Sequence, residues 1–124
     1  MGTSTRARWT LHAASFERAP SFDWDWWQQV NAHSLGWVCA RNDDRLVGWV
    51  NVAWDGGVHA FLIDTIVDSA FRRQGIATEM VRHATEQART SGCEWLHVDF
   101  DEHLRSFYWE ACGFTATDAG LIAL

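Results

Sequence analysis

From Gly36 to Val67 the sequence reads "GWVCARNDDRLVGWVNVAWDGGVHAFLIDTIV". Three runs of aromatic, β-branched and small apolar residues are separated by Asn42-Asp43-Asp44 and by Asp55-Gly56-Gly57. Runs of this length suit strands, and Asn, Asp and Gly tolerate the positive φ of a tight hairpin. No other stretch narrows the fold as far, because three strands joined this way make an antiparallel meander whose sheet the rest of the chain must cover. After "VDSAFRRQGIAT" the period changes: Ile76, Met80, Val81, Ala84 and Ala88 fall on one helical stripe, and Gly92 supplies a stop. "EWLHVDF" then alternates, with Leu96, Val98 and Phe100 on one face and Trp95, His97 and Asp99 on the other. A strand-helix-strand step sets its two strands parallel. The expected sheet is therefore mixed, antiparallel in the meander and parallel around the long helix. "HLRSFYWEACG" reads as a last short helix and "GLIAL" as a final strand.

Upstream, residues 1–7 read as a loose tail. "RWTLHAASFERA" has helical spacing in Trp9, Ala13 and Phe16, and Pro20 ends it. Ser21 and Asp23 cap a second short helix, "WDWWQQVNAHS". The whole chain, residues 1–124, is one α/β domain in three layers, with two helices before the meander and no strand preceding them.

Composition bounds the partners. Sixteen acidic against ten basic residues give a net charge of −6, which argues against a nucleic-acid backbone as partner. Cys39, Cys93 and Cys112 form no CxxC pair, so neither a zinc site nor a disulfide framework is signalled, and the histidines have no metal-ligand spacing. No metal is expected. The first residues lack the apolar stretch of a signal peptide, and no apolar run is long enough for a membrane span; a cytoplasmic protein without a membrane partner is the expectation.

The turn "FRRQGIAT" carries the chemistry. A helix N-terminus offers unpaired N–H groups and partial positive charge to an anion. Gly75 lets a ligand approach the backbone, Ala77 is small, Arg72 and Arg73 add charge, and Thr78 adds a hydroxyl. The pattern is neither a P-loop nor a dinucleotide fingerprint, and alone it fits an ordinary strand-to-helix turn as well as a phosphate cradle.

Its surroundings add to this. "VDSAFRRQGIAT" resembles the acetyl-CoA signature of the GNAT superfamily of N-acetyltransferases: Arg or Gln, two residues, Gly, one residue, then Gly or Ala, after a strand ending in valine. "FYWEACGF" resembles the superfamily's second landmark, an aromatic-rich short helix closing on Gly-Phe. The resemblance spans residues 36–124 and implies a GNAT-like fold, acetyl-CoA as acyl donor, and direct attack of an amine on the thioester. Main-chain groups near Ile66 and Val67 would pair with the pantetheine arm. The amides of Arg73, Gln74, Gly75, Ile76 and Ala77, with the Arg72 side chain and the Thr78 hydroxyl, would hold the pyrophosphate.

Three departures accompany the resemblance. The tyrosine expected to protonate the departing thiolate falls at Trp109 counting back from Gly113, but at Tyr108 counting forward from Asp101; a one-residue insertion reconciles the counts, and Tyr108 is the expected acid. Positions that often hold a general base match Phe61 and Ile63, both apolar. Asp64 faces the other side under strict alternation unless a bulge intervenes. His97 and Asp99 share a strand face and suit a carboxylate-oriented imidazole, with His59 of similar standing and a water chain as the alternative. Finally, the family's first strand is missing from this reading, which leaves sheet edge for a possible homodimer to cover. Trp24 and Trp27, beside Asp23 and Asp25, suit a cationic amine, the alternative being a hydrophobic lid or a dimer contact. The expected function is acetyl-CoA-dependent N-acetylation of a primary amine of a small molecule or peptide. The alternative is a non-catalytic acyl-CoA sensor or partner-binding subunit on the same scaffold.

Overall fold

The structure, a computed structural model, describes residues 10–14 and 24–124, with side chains from Gln28 onward. The meander is present as β2 (Ser34–Asn42), β3 (Arg45–Trp54) and β4 (His59–Val67), each antiparallel to the next. Asn42 pairs directly with Arg45, so two aspartates make the first turn, and Asp43 adopts φ +54° there. In the second turn the Asp55 carboxylate accepts the main-chain N–H of Gly57 at 2.7 Å and of His59 at 3.3 Å. Chiefly the Gly57 bond, then those to the His59 amide and its charge, hold the Asp55 carboxyl below its ordinary value.

A strand, β1 (Thr10–Ala14), lies antiparallel on β2 from Thr10 opposite Arg41 to Ala14 opposite Trp37. This corrects the expectation of a helix over "RWTLHAASFERA" and of a missing first strand. The Trp9, Ala13, Phe16 spacing spans too few residues to outweigh a free β2 edge, and "TLHAA" satisfies a period of two as well. The ground offered for a dimer, an uncovered β2 edge, goes with it. α1 (Trp24–His33) follows, then α2 (Ile76–Thr90) and β5 (Trp95–His97), which pairs parallel with β4. The sheet order is β1-β2-β3-β4-β5.

Alternation along the meander sends residues to two cores. Val38, Val50, Val52 and Leu62 pack with Ile76, Met80 and Val81 of α2. Trp37, Cys39 and Trp49 pack with Val30 of α1, the two indoles stacked at 5.8 Å. Helices therefore cover both sheet faces in three layers. Gly48 brings α2 close: a Cβ built there would stand 2.9 Å from Met80 Sδ and 3.1 Å from Ile76 Cγ2.

Two features shape the functional end. Trp49 pairs with Ile66 but Asn51 with Ile63, so β4 carries one extra residue between them, and Asp64 sits there at φ +58°. That bulge cancels the parity that turned Asp64 away from the Phe61–Ile63 face. Second, β5 pairs with β4 at only three positions, ending at Phe61 opposite His97. Val98, Asp99 and Phe100 continue without a ladder, because Val98 and Phe100 pack against the α2-side core. Beyond Phe61 the β5-side edge of β4 has no strand partner among the described residues, and a wedge opens. "GLIAL" forms no strand: residues 115–124 are irregular, with Leu121, Ile122 and Leu124 exposed.

Candidate active site

The wedge contains a cavity of about 560 Å³. One wall is the end of β4 whose β5-side edge is free, Thr65 to Val67; the second is Phe71, Arg72, Arg73, Gly75, Ile76, Ala77 and Thr78; the third is Leu104, Phe107 and Tyr108. Every residue singled out for the cofactor except Gln74 thus borders one space. Gln74 turns its side chain inward, where its Oε1 is buried without a hydrogen-bond partner among the described residues.

Local chemistry explains the second wall. The Asp68 carboxylate accepts the Ala70 N–H at 2.8 Å and caps a 3-10 turn over Ser69–Phe71. It also accepts from Arg45 of the β2–β3 hairpin at 2.6 Å, while that guanidinium lies 5.8 Å over the Phe71 ring. The Ala70 bond first, then Arg45 and Arg72, hold the Asp68 carboxyl below its ordinary value. Arg72 Nε reaches back to the Val67 carbonyl at 3.4 Å, a long contact that leaves most of its donors available. Arg73 then takes φ +63° and Gly75, the N-cap of α2, takes φ +78°. Alternating left-handed residues turn successive N–H groups towards one concavity, a nest for an anion. No turn or cap hydrogen bond among the described residues uses the N–H of Arg72 to Gly75, and no side chain caps α2. A Cβ on Gly75 would meet nothing within 4 Å, so the space over the nest is open.

The third wall is irregular where the two tyrosine counts part. Residues Ser106–Ala111 form a π-helical turn, in which the Cys112 N–H donates to the Phe107 carbonyl at 3.0 Å. A π turn contains one more residue than an α turn, the same one-residue difference that separates the Gly113 count from the Asp101 count. Tyr108 lines the cavity and is 6% exposed. Its ring stacks on Phe100 at 4.7 Å and meets Phe107 and Phe114 edge-on, while its hydroxyl makes no hydrogen bond to a described residue. Trp109 points elsewhere, 39% exposed beneath Arg105. Burial pushes the Cys112 thiol up to about 11, so it is not a thiolate near neutral pH.

The remaining candidates are not brought to the cavity wall. Asp64 is exposed in the bulge. His97 and Asp99 do not form the expected carboxylate-oriented imidazole, because the ladder ends at His97 and Asp99 follows a different path. Instead His97 Nε2 lies 2.8 Å from His59 Nδ1. Side chains of Trp24 and Trp27 lie outside the described residues. Among those described, no group of three or more His, Cys, Asp or Glu could hold a metal, and no helix is long and apolar enough to cross a membrane.

The strand wedge, the helix-start nest and the aromatic turn follow one another along the chain in this order and face one cavity. The model of the acetyltransferase (GNAT) family matches residues 4–114, and the chain belongs to that family of acetyltransferases. A 59-residue stretch, 48% of the chain, is 36% identical to a rice protein (Oryza sativa subsp. japonica) named "Probable glucosamine 6-phosphate N-acetyltransferase 2", of which it spans 35%. Among solved structures, a GNAT-family acetyltransferase of Streptococcus pneumoniae superposes with a TM-score of 0.75 at 19% identity, covering 94% of this chain and 98% of that one. The glucosamine-6-phosphate N-acetyltransferase of Arabidopsis thaliana gives a TM-score of 0.72 at 14% identity, covering 93% and 98%. At these identities the structural likeness speaks for the fold.

Proposed function

We infer that this chain transfers the acetyl group of acetyl-CoA directly to a primary amine of a small molecule or peptide. Acetyl-CoA is the donor typical of the family. The observation that carries the reading is that one cavity is bounded by the free β5-side edge of β4, the Arg73–Gly75 nest and Tyr108. The residues present fit the donor at each level. The nest and the first turn of α2 suit its diphosphate. The edge groups of Thr65, Ile66 and Val67 suit an extended amide-bearing arm, as an added strand would. Tyr108 holds a phenolic proton at the inner wall, and its buried, aromatic-packed ring fixes where that proton is delivered. The amine attacks the thioester carbonyl, the N–C bond forms as the C–S bond breaks, and Tyr108 protonates the departing sulfur. The raised Cys112 thiol gives no support to a covalent acyl-enzyme. Trp24 and Trp27 remain our proposal for the acceptor side. A second copy of the chain, if one associates, would meet the open β5 edge.

The test is thiol release from acetyl-CoA across a panel of amino sugars, glucosamine 6-phosphate included, polyamines and peptide N-termini. Release matched by amide formation supports the reading. A rise in melting temperature with acetyl-CoA and no release with any amine supports the acyl-CoA sensor instead.

A further inference from the structure

Amide formation requires a proton to leave the amine, yet among the described residues Tyr108 and two arginines are the only titratable ones on the cavity wall. The group that takes it must stand beside the wedge. Asp64 has a structural explanation, since aspartate tolerates the left-handed conformation that the bulge needs. His97 stands differently. It is the last paired residue of β5, opposite Phe61, at the apex where β4 and the chain after β5 part. Its ring is held on two sides, stacked on Phe61 at 4.6 Å and 2.8 Å through Nε2 from Nδ1 of His59. Phe61, Ile63 and Trp95 flank it on the face away from α2, with relative exposures of 38%, 37% and 63%, so this side of the apex is open to an acceptor.

We propose that His97 and His59 form a two-imidazole relay that takes the proton from the acceptor amine and hands it to solvent, an inference that rests on the acetyltransferase reading. A 2.8 Å contact between two imidazoles requires one N–H and one lone pair. With His97 donating through Nε2, its Nδ1 is free to accept the amine proton, directly or through one water. The Nε2 proton then passes to His59 Nδ1, His59 releases its own Nε2 proton to solvent, and proton exchange with solvent at His97 Nδ1 and His59 Nε2 returns both rings to their starting tautomers. Meanwhile the N–C bond forms, the C–S bond breaks, and the thiolate takes the Tyr108 proton, which solvent replaces. Asp55, whose carboxylate accepts the His59 main-chain N–H, stands at the His59 end. Glu94 and Asp99 flank β5 and are exposed, and β3 places uncharged Ala53 opposite Phe61. His97 is the catalytic base, and His59 is a relay and positioning residue.

The experiment compares wild type, His97→Gln, His59→Gln and the double variant in kcat/KM against pH, with acetyl-CoA affinity measured separately by titration. A base must be neutral to act, so wild-type kcat/KM has an acid limb that belongs to the base. His97→Gln is expected to lose about 100-fold in kcat/KM at neutral pH and to lose that acid limb, while binding acetyl-CoA as wild type does. His59→Gln shifts the limb with a smaller loss, and the double variant is no worse than His97→Gln because the two act as one unit. His97→Ala with added imidazole recovers activity. Unchanged kcat/KM and an intact acid limb in His97→Gln overturn the relay alone. A wild type that binds acetyl-CoA and acetylates no amine overturns the acetyltransferase reading, and the relay with it.

Discussion

Gly75 offers a test in which stability and binding separate cleanly. It sits at φ +78° and ψ 10°, and a Cβ there would touch nothing within 4 Å. In the free protein Gly75→Ala therefore carries only backbone strain, about 1–2 kcal/mol for an L-residue held left-handed. At this chain length that lowers the melting temperature by roughly 4–8 °C. Gly56 supplies the control: it has φ +82°, equally open space, and lies in the β3–β4 turn away from the cavity. Gly56→Ala should cost about the same stability, on the order of 1–2 kcal/mol. The two variants part on adding acetyl-CoA, because only at Gly75 does the methyl stand over the nest. Gly75→Glu adds like charge beside the diphosphate. One unit charge about 6 Å away at an effective dielectric near 20 opposes binding by roughly 3 kcal/mol, on the order of 100-fold in Kd. Melting curves with and without acetyl-CoA, and a calorimetric titration, read both effects. Near-native affinity in Gly75→Glu, or equal affinity losses at Gly56 and Gly75, would refute the cradle.

Other outcomes follow from the same geometry. Tyr108→Phe keeps the ring packing and should bind acetyl-CoA normally while losing on the order of 100-fold in kcat near neutral pH, whereas Trp109→Phe, on an exposed side chain, should change kcat little; steady-state rates at neutral and high pH decide it. Gly48→Val places methyls against Met80 and Ile76 and should destabilise by about 1–3 kcal/mol in denaturant unfolding. The Asp68 carboxyl is depressed in the folded chain, so its contribution is complete above its unfolded value near 3.9 and is lost as pH falls through the lower folded one. Acid unfolding followed by circular dichroism should accordingly begin at higher pH in Asp68→Asn, with weaker acetyl-CoA binding.

What the sequence revealed, and what it concealed, follows residue by residue. The meander was legible because its period of two and its Asn, Asp and Gly turns agree, and α2 because five apolar residues share one stripe that is buried in the structure. At Gly75 the residues alone marked a helix start; the cofactor expectation there came from the resemblance to the family signature, because an ordinary strand-to-helix turn has the same marks. β1 was not legible, because its five residues satisfy two periods and the deciding term is the β2 edge. The left-handed turn at Arg73 carries no sequence mark, as arginine is not a residue that seeks positive φ. The π turn did leave a trace, in two tyrosine counts that disagreed by one residue. The His59–His97 contact joins residues 38 apart, and only the parallel register sets them side by side.

The most direct test is amide-resolved hydrogen exchange with and without acetyl-CoA. The account predicts slowed exchange at Arg73 to Thr78 and along Thr65 to Val67, with little change in the Asp43-Asp44 and Asp55–Val58 turns. Protection centred elsewhere, or none at Arg73 to Thr78 under saturating acetyl-CoA, would contradict it.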